Sequence, residues 1–101
     1  MASSKEYRDF VLEQFSLVPG YADRISCRAM MGEFVLYLDG AVFGGIYDDR
    51  FLVKKLPGLE RFGMSEAIPY ERGKAMWLVD EVDDVEFLAK IAEAVAEGPK
   101  K

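Results

Sequence analysis

Helical spacing of apolar residues marks both ends of the chain, and strand-like runs fill its middle. Tyr7, Phe10, Val11, Phe15 and Val18 fall on one face of an N-terminal helix. Ser3 stands as its N-cap with Glu6 three residues later, a capping box, and Pro19-Gly20 stops it. Residues 24–30 then alternate, with Ile25, Cys27 and Ala29 on one side and Arg24, Ser26 and Arg28 on the other. After a turn at Met31-Gly32 come two apolar runs separated by Asp39-Gly40 alone, a pair that tolerates positive φ at both central positions of a type I′ turn. A further turn near Asp48-Asp49-Arg50 leads into Phe51-Leu52-Val53-Lys54. Four strands joined by tight turns make an antiparallel meander.

The hairpin register follows from its loop. A two-residue turn pairs Leu38 with Ala41, Leu36 with Phe43, Val35 with Gly44 and Phe34 with Gly45. Large residues then oppose the strand glycines and restore packing over them, while close approach of a partner backbone is the other use of Gly44-Gly45. Downstream, Pro57 starts a short helical stretch that Gly63 ends, and residues 66–71 are extended or irregular because Pro69 cannot serve a central strand. Residues 74–80 read as a fifth strand. The last helix is capped by Asp83 with Glu86 at N3, Val82 stapling against Phe87, and Phe87, Leu88, Ile91, Ala92 and Val95 as its apolar stripe. Together these elements predict an α+β, two-layer domain in which a mainly antiparallel five-stranded sheet packs with N- and C-terminal helices, in the order α-β4-short α-β-α. Residues 34–38 and 76–79 alternate poorly, so loops or a second subunit, a homodimer, must cover the face that two helices leave bare.

Composition narrows the functions open to such a domain. The 101 residues suit one domain over residues 1–97, followed by a disordered basic tail at 98–101. One cysteine, no secretory leader and no apolar run near the roughly 20 residues of a membrane span point to a cytoplasmic protein with no membrane partner. Thirteen basic residues against 18 acidic give a net charge of −5, which argues against direct nucleic-acid binding. The cations concentrate in residues 50–74, which fits either ordinary solvated charge or a basic band turned away from the acidic last helix.

No catalytic constellation emerges. With no histidine there is no His-dependent triad or imidazole metal site, and no phosphate-cradling glycine loop precedes a helix. Cys27 lies on an apolar strand face, where a thiol is an inert small hydrophobe. The pairs Asp48-Asp49 and Asp83-Asp84 sit where a turn and a helix N-terminus want acids. The expected catalytic, metal and cofactor inventory is therefore none. A binding surface is more legible: if the loop after Tyr47 has two residues, Lys54 lies on the Phe43, Gly45, Tyr47 face, with Arg28 on a neighbouring strand. Two cations over bare backbone would suit an acidic partner group, the alternative being that they snorkel or pair with acids such as Glu33. The candidate partner or ligand surface comprises Arg28, Met30, Met31 and Gly32 before the hairpin and Phe43, Gly44, Gly45 and Lys54 after it.

The same residues carry a resemblance. Arg28-Ala29-Met30-Met31-Gly32-Glu33, Tyr37-Leu38-Asp39-Gly40, Phe43-Gly44-Gly45-Ile46-Tyr47-Asp48-Asp49 and Phe51-Leu52-Val53-Lys54 resemble the N-terminal domain of TfoX/Sxy competence regulators. That family reads Arg-x-Met-Phe-Gly, Tyr-x-x-Gly and Phe-Gly with a Lys closing the fourth strand; Met31 here replaces its Phe, one large apolar residue for another. Full-length regulators continue into a helical second domain, whereas this sequence ends at Lys101. The resemblance implies the α+β fold, a role in transcription regulation and a protein partner such as a transcription factor. A non-catalytic regulatory or protein-interaction module is the favoured reading. The alternative is a small anionic-ligand-binding protein or enzyme using Arg28 and Lys54 near Gly44-Gly45.

Overall fold

The computed structural model describes residues 4–69 and 73–97. Helix α1 (Lys5–Ser16) is followed by strands β1 (Ile25–Met30), β2 (Glu33–Leu38), β3 (Ala41–Ile46) and β4 (Phe51–Val53). A 3-10 turn (Glu60–Phe62), strands β5 (Ser65–Ala67) and β6 (Met76–Val79) and helix α2 (Val85–Glu97) complete the fold. All six strands form one antiparallel sheet in the order β1-β2-β3-β4-β6-β5. The fold is α+β as the periodicity predicts, with one strand more than the five expected. The extra strand, β5, is three residues long, pairs only at the sheet edge, and stops two residues short of Pro69.

Three successive type I′ turns build the meander. Met31-Gly32, Asp39-Gly40 and Asp48-Asp49 all hold positive φ at both central positions, near 54° on the non-glycine residues. Tyr47 and Arg50 exchange both backbone hydrogen bonds around the last turn, at 2.9 and 3.0 Å, which fixes it as a two-residue loop. The cap assignments move by one residue each. Ser4 Oγ accepts from the Tyr7 amide at 3.1 Å and caps α1, whereas Ser3 lies outside the described residues. Asp84, not Asp83, caps α2 by accepting from the Phe87 amide at 3.1 Å. The tail expected over residues 98–101 also lies outside the described residues. Gly63, at φ 71°, ends the 3-10 turn as expected.

Both helices pack on one face of the sheet. Phe34, Leu36 and Leu38 of β2, Phe43 and Ile46 of β3, Phe51 and Val53 of β4 and Val79 of β6 meet Val11 and Phe15 of α1 and Leu88, Ile91 and Ala92 of α2. Phe15, Phe43 and Phe51 form a triad of edge-to-face rings with centroids 5.7 to 6.3 Å apart. That triad explains the one departure from the expected register. Leu38 pairs with Ala41 as predicted, but a bulge at Phe43 shifts the rest, so Leu36 faces Gly44, Val35 faces Gly45 and Phe34 faces Ile46. The bulge turns Phe43 toward the helices, on the same side as Gly44. Only one of the two can then carry a side chain, and a Cβ at Gly44 would collide with the Leu52 carbonyl oxygen.

Candidate interaction site

The opposite face of the sheet has no helix on it. Alternation from the core residues places Arg28, Met30, Glu33, Val35, Tyr37, Val42, Gly45, Leu52, Met76 and Leu78 there. The β4–β6 half of this face is covered. Leu52 is fully buried although it points away from the helices. The connection after β5 folds back over that half: Arg50 donates to the carbonyls of Ile68 and Pro69 at 3.0 and 3.4 Å, and Pro69 is buried. The poor alternation of residues 76–79 is thus answered within the chain, by a loop.

The β1–β3 half stays open. Met31, at the tip of the first turn, is 98% exposed, and Met30 and Val42 are 52% and 40% exposed. Met30, Met31, Glu33, Val35 and Tyr47 line a groove of about 450 Å³. Tyr47 defines its boundary. A Cβ on Gly45 would stand 2.7 Å from the Tyr47 ring and hydroxyl and 2.6 Å from the Phe34 carbonyl oxygen, so the ring lies over Gly45. Tyr47, and not Phe34, is therefore the aromatic cover of the strand glycine. Glu33 anchors the turn below by accepting from the Asp48 amide at 3.2 Å.

The candidate residues separate into three places. Met30, Met31 and Gly45, with Gly32 in the turn, belong to the open face. Phe43 and Gly44 are buried on the helix side and present nothing to a partner. Lys54 does share a face with Gly45 and Tyr47, and its amide bonds the Phe43 carbonyl at 2.9 Å, but the bulge has removed the Phe43 ring from that face. Arg28 lines a different, shallow groove with Ser26, Tyr37 and Gly40. It sits on β1, three strand spacings or about 14 Å from β4, so Arg28 and Lys54 do not converge on one ligand group. Among the described residues neither forms an ion pair; the pairs present are Arg8–Asp9, Arg24–Asp39 and Lys55–Glu66.

The remaining chemistry is structural. Cys27 faces the helix side, half-buried, and burial pushes its thiol up from the ordinary value. Asp48 and Asp49 fill the left-handed turn positions, and Asp49 also accepts from the Ser4 amide at 2.8 Å. Among the described residues no group of three or more acidic, cysteine or histidine side chains stands where it could hold a metal ion. No helix among them is long and apolar enough to cross a membrane.

Val35, Lys55, Lys74 and Met76 also line grooves, where sequence reasoning did not place them, and Tyr47, expected on the Gly45 face, lines two. Tyr47 had a usable signal, since it stands two residues after Gly45 in a strand pattern. Lys74 had none, because only the fold of the preceding connection brings it near Lys54.

No protein-family model matches the chain. It is similar to the protein described as "Uncharacterized 12.7 kDa protein in trpE 5'region" of Spirochaeta aurantia, with 30% identity over 106 aligned positions. The alignment covers 99% of this chain and 89% of the spirochaete protein.

Proposed function

The chain belongs to the same family as the spirochaete 12.7 kDa protein, and we propose that it is a small, non-catalytic protein-interaction module that docks a partner on the open β1–β3 half of its sheet. The observation that carries this reading is the pair Met30 and Met31 beside Val35 and Tyr47, large apolar groups left to solvent on a face that has no helix. Burying one such side chain is worth about 1.5–3 kcal/mol, so the face gains stability only when something covers it. Methionine suits the task, because its unbranched thioether adapts to the shape of the partner. β1 adds an unpaired edge, six residues long, whose free backbone groups can accept a partner strand. The net charge of −5 and the resemblance to TfoX/Sxy N-terminal domains favour a protein partner in transcriptional control over direct contact with DNA.

The test compares baits. The parent chain, Met31→Asp and Leu17→Asp are used to recover partners from lysate of the source cells. Leu17 is 59% exposed at the end of α1, away from the open face, and serves as the control. A protein recovered by the parent and by Leu17→Asp but lost with Met31→Asp, at an unchanged thermal midpoint, supports the reading. Equal recovery by all three baits speaks against it. Light scattering identifies the case in which the partner is a second copy of the chain.

A further inference from the structure

Beyond the open apolar half lies a second groove, on the other side of the Tyr47 ring. It has a volume of about 630 Å³ and is lined by Tyr47, Lys54, Lys55, Lys74 and Met76, with Pro69 and Ala75 completing its wall. We propose that this groove is a binding site for a small organic anion that carries at least two negative charges and an apolar body.

Charge is the first argument. In a chain whose acids outnumber its bases 18 to 13, Lys54 and Lys74 line one groove. Gathering like charges is unfavourable unless an anion joins them, and a cleft lined by one sign of charge raises the local concentration of the opposite ion. Among the described residues Lys54 and Lys74 form no ion pair. The Lys55 ammonium is turned to the helix side, where Glu66 lies at 2.5 Å and the Trp77 ring centroid at 4.7 Å, so Lys55 lends the groove no free charge. Lys54 and Lys74, on neighbouring segments, remain available, an arrangement that suits a ligand with more than one charge.

Shape is the second argument. The volume falls within the range of about 300–1,000 Å³ typical of small-molecule sites. Among the described residues its non-basic lining is Tyr47, Pro69, Gly73, Ala75 and Met76. The wall is held by the Arg50 hydrogen bonds to Ile68 and Pro69, and the Tyr47 ring is seated over Gly45. Phosphate monoesters and polycarboxylates share the required chemistry, since lysine recognises either as a compact point charge. The inference is independent of the protein-docking reading, because it concerns the groove on the far side of Tyr47.

The test reads backbone amide shifts at the groove, since Lys54, Lys74 and Met76 line it. The full chain is titrated with phenyl phosphate, inorganic phosphate and citrate, with chloride matched in ionic strength as the reference. The expected result is a saturable shift of the Lys54 and Lys74 amides with Kd below about 1 mM for phenyl phosphate, citrate or both, and weaker binding of inorganic phosphate, which lacks the apolar body. Amide shifts confined to Lys54, Lys55 and residues 73–76 locate the site. Lys54→Gln with Lys74→Gln should weaken binding by about tenfold or more at an unchanged thermal midpoint, whereas Lys5→Gln with Lys90→Gln leaves it unchanged. Binding of phenyl phosphate alone assigns the ligand to the phosphate esters, and of citrate alone to the polycarboxylates. A response that matches chloride, does not saturate, or survives the double Lys54/Lys74 substitution overturns the proposal.

Discussion

Gly45→Ala probes the contact that divides the helix-free face. The added methyl would stand 2.6 Å from the Phe34 carbonyl oxygen and 2.7 Å from the Tyr47 ring. The ring can swing away, but the carbonyl belongs to the central β2 strand and cannot. Forcing a methyl into filled space costs about 1–3 kcal/mol. Against this, alanine loses less chain entropy on folding than glycine, a gain of about 0.4–1 kcal/mol where the backbone is compatible. The net expectation is a loss of about 1–2 kcal/mol, and a domain of this size should melt roughly 4–16 °C lower. Gly40→Ala supplies the contrast. Gly40 has φ 86° and no neighbouring atom within 4 Å, so its cost is conformational only, about 1–2 kcal/mol, and is unaffected by Tyr47→Ala. At Gly45 the second substitution should recover part of the loss, because one of the two clashes disappears, and the remainder reports the Phe34 carbonyl. Urea unfolding of the three single and two double variants measures these terms. A Gly45→Ala chain as stable as the parent would refute the placement of the Tyr47 ring and, with it, the separation of the two grooves.

Further outcomes follow from the core and the titrating groups. Phe15→Ala removes the ring between Phe43 and Phe51 and should cost about 3–5 kcal/mol, read as a large fall or loss of the thermal transition; a small shift would contradict the triad. Burial raises the Cys27 thiol, so alkylation at neutral pH should run slower than for a free cysteine thiol and accelerate in urea; equal rates would contradict its placement. The hydrogen bonds and charge of Arg24 hold the Asp39 carboxyl below the usual carboxylate range. Because the folded value is lowered, the stabilisation is complete above the ordinary carboxylate range and is lost as the pH falls through the folded value. Asp39→Asn, which still tolerates the left-handed turn, should therefore flatten the acid limb of stability against pH, and an unchanged limb would contradict the pair.

The parts of the fold that were legible in the sequence are those set by local chemistry. Gly32, Asp39-Gly40 and Asp48-Asp49 mark the turns by residues that accept positive φ, and three such turns leave the chain little choice but a meander. Helix spacing places both apolar stripes. The caps shifted by one because Ser3-Ser4 and Asp83-Asp84 offer two equally suited neighbours, and the side chain that meets the first turn is decided by tertiary packing. The bulge at Phe43 was beyond local reading: its cause is the space between Phe15 and Phe51, two residues remote in sequence. β5 escaped because Ser-Glu-Ala carries no strand pattern and pairs only through the backbone of β6. Of the candidate residues, Met30 and Met31 come together in one groove, whereas Gly45 is buried beneath the Tyr47 ring and Lys54 lines the neighbouring groove. The expectation that joined Arg28 to Lys54 assumed adjacent strands, whereas β2 and β3 lie between them.

A partner protein docked on the open β1–β3 half of the sheet would touch the methionines there. Methionine methyl groups report on it directly, since Met30 and Met31 line the open groove while Met64 packs against the core beside Phe62 and Phe87. With methyl-labelled methionine and a partner recovered by the parent chain, docking at this face should shift or broaden the Met30 and Met31 signals and leave the Met64 signal in place. A Met64 signal that moves while Met30 and Met31 remain as in the free chain would contradict it.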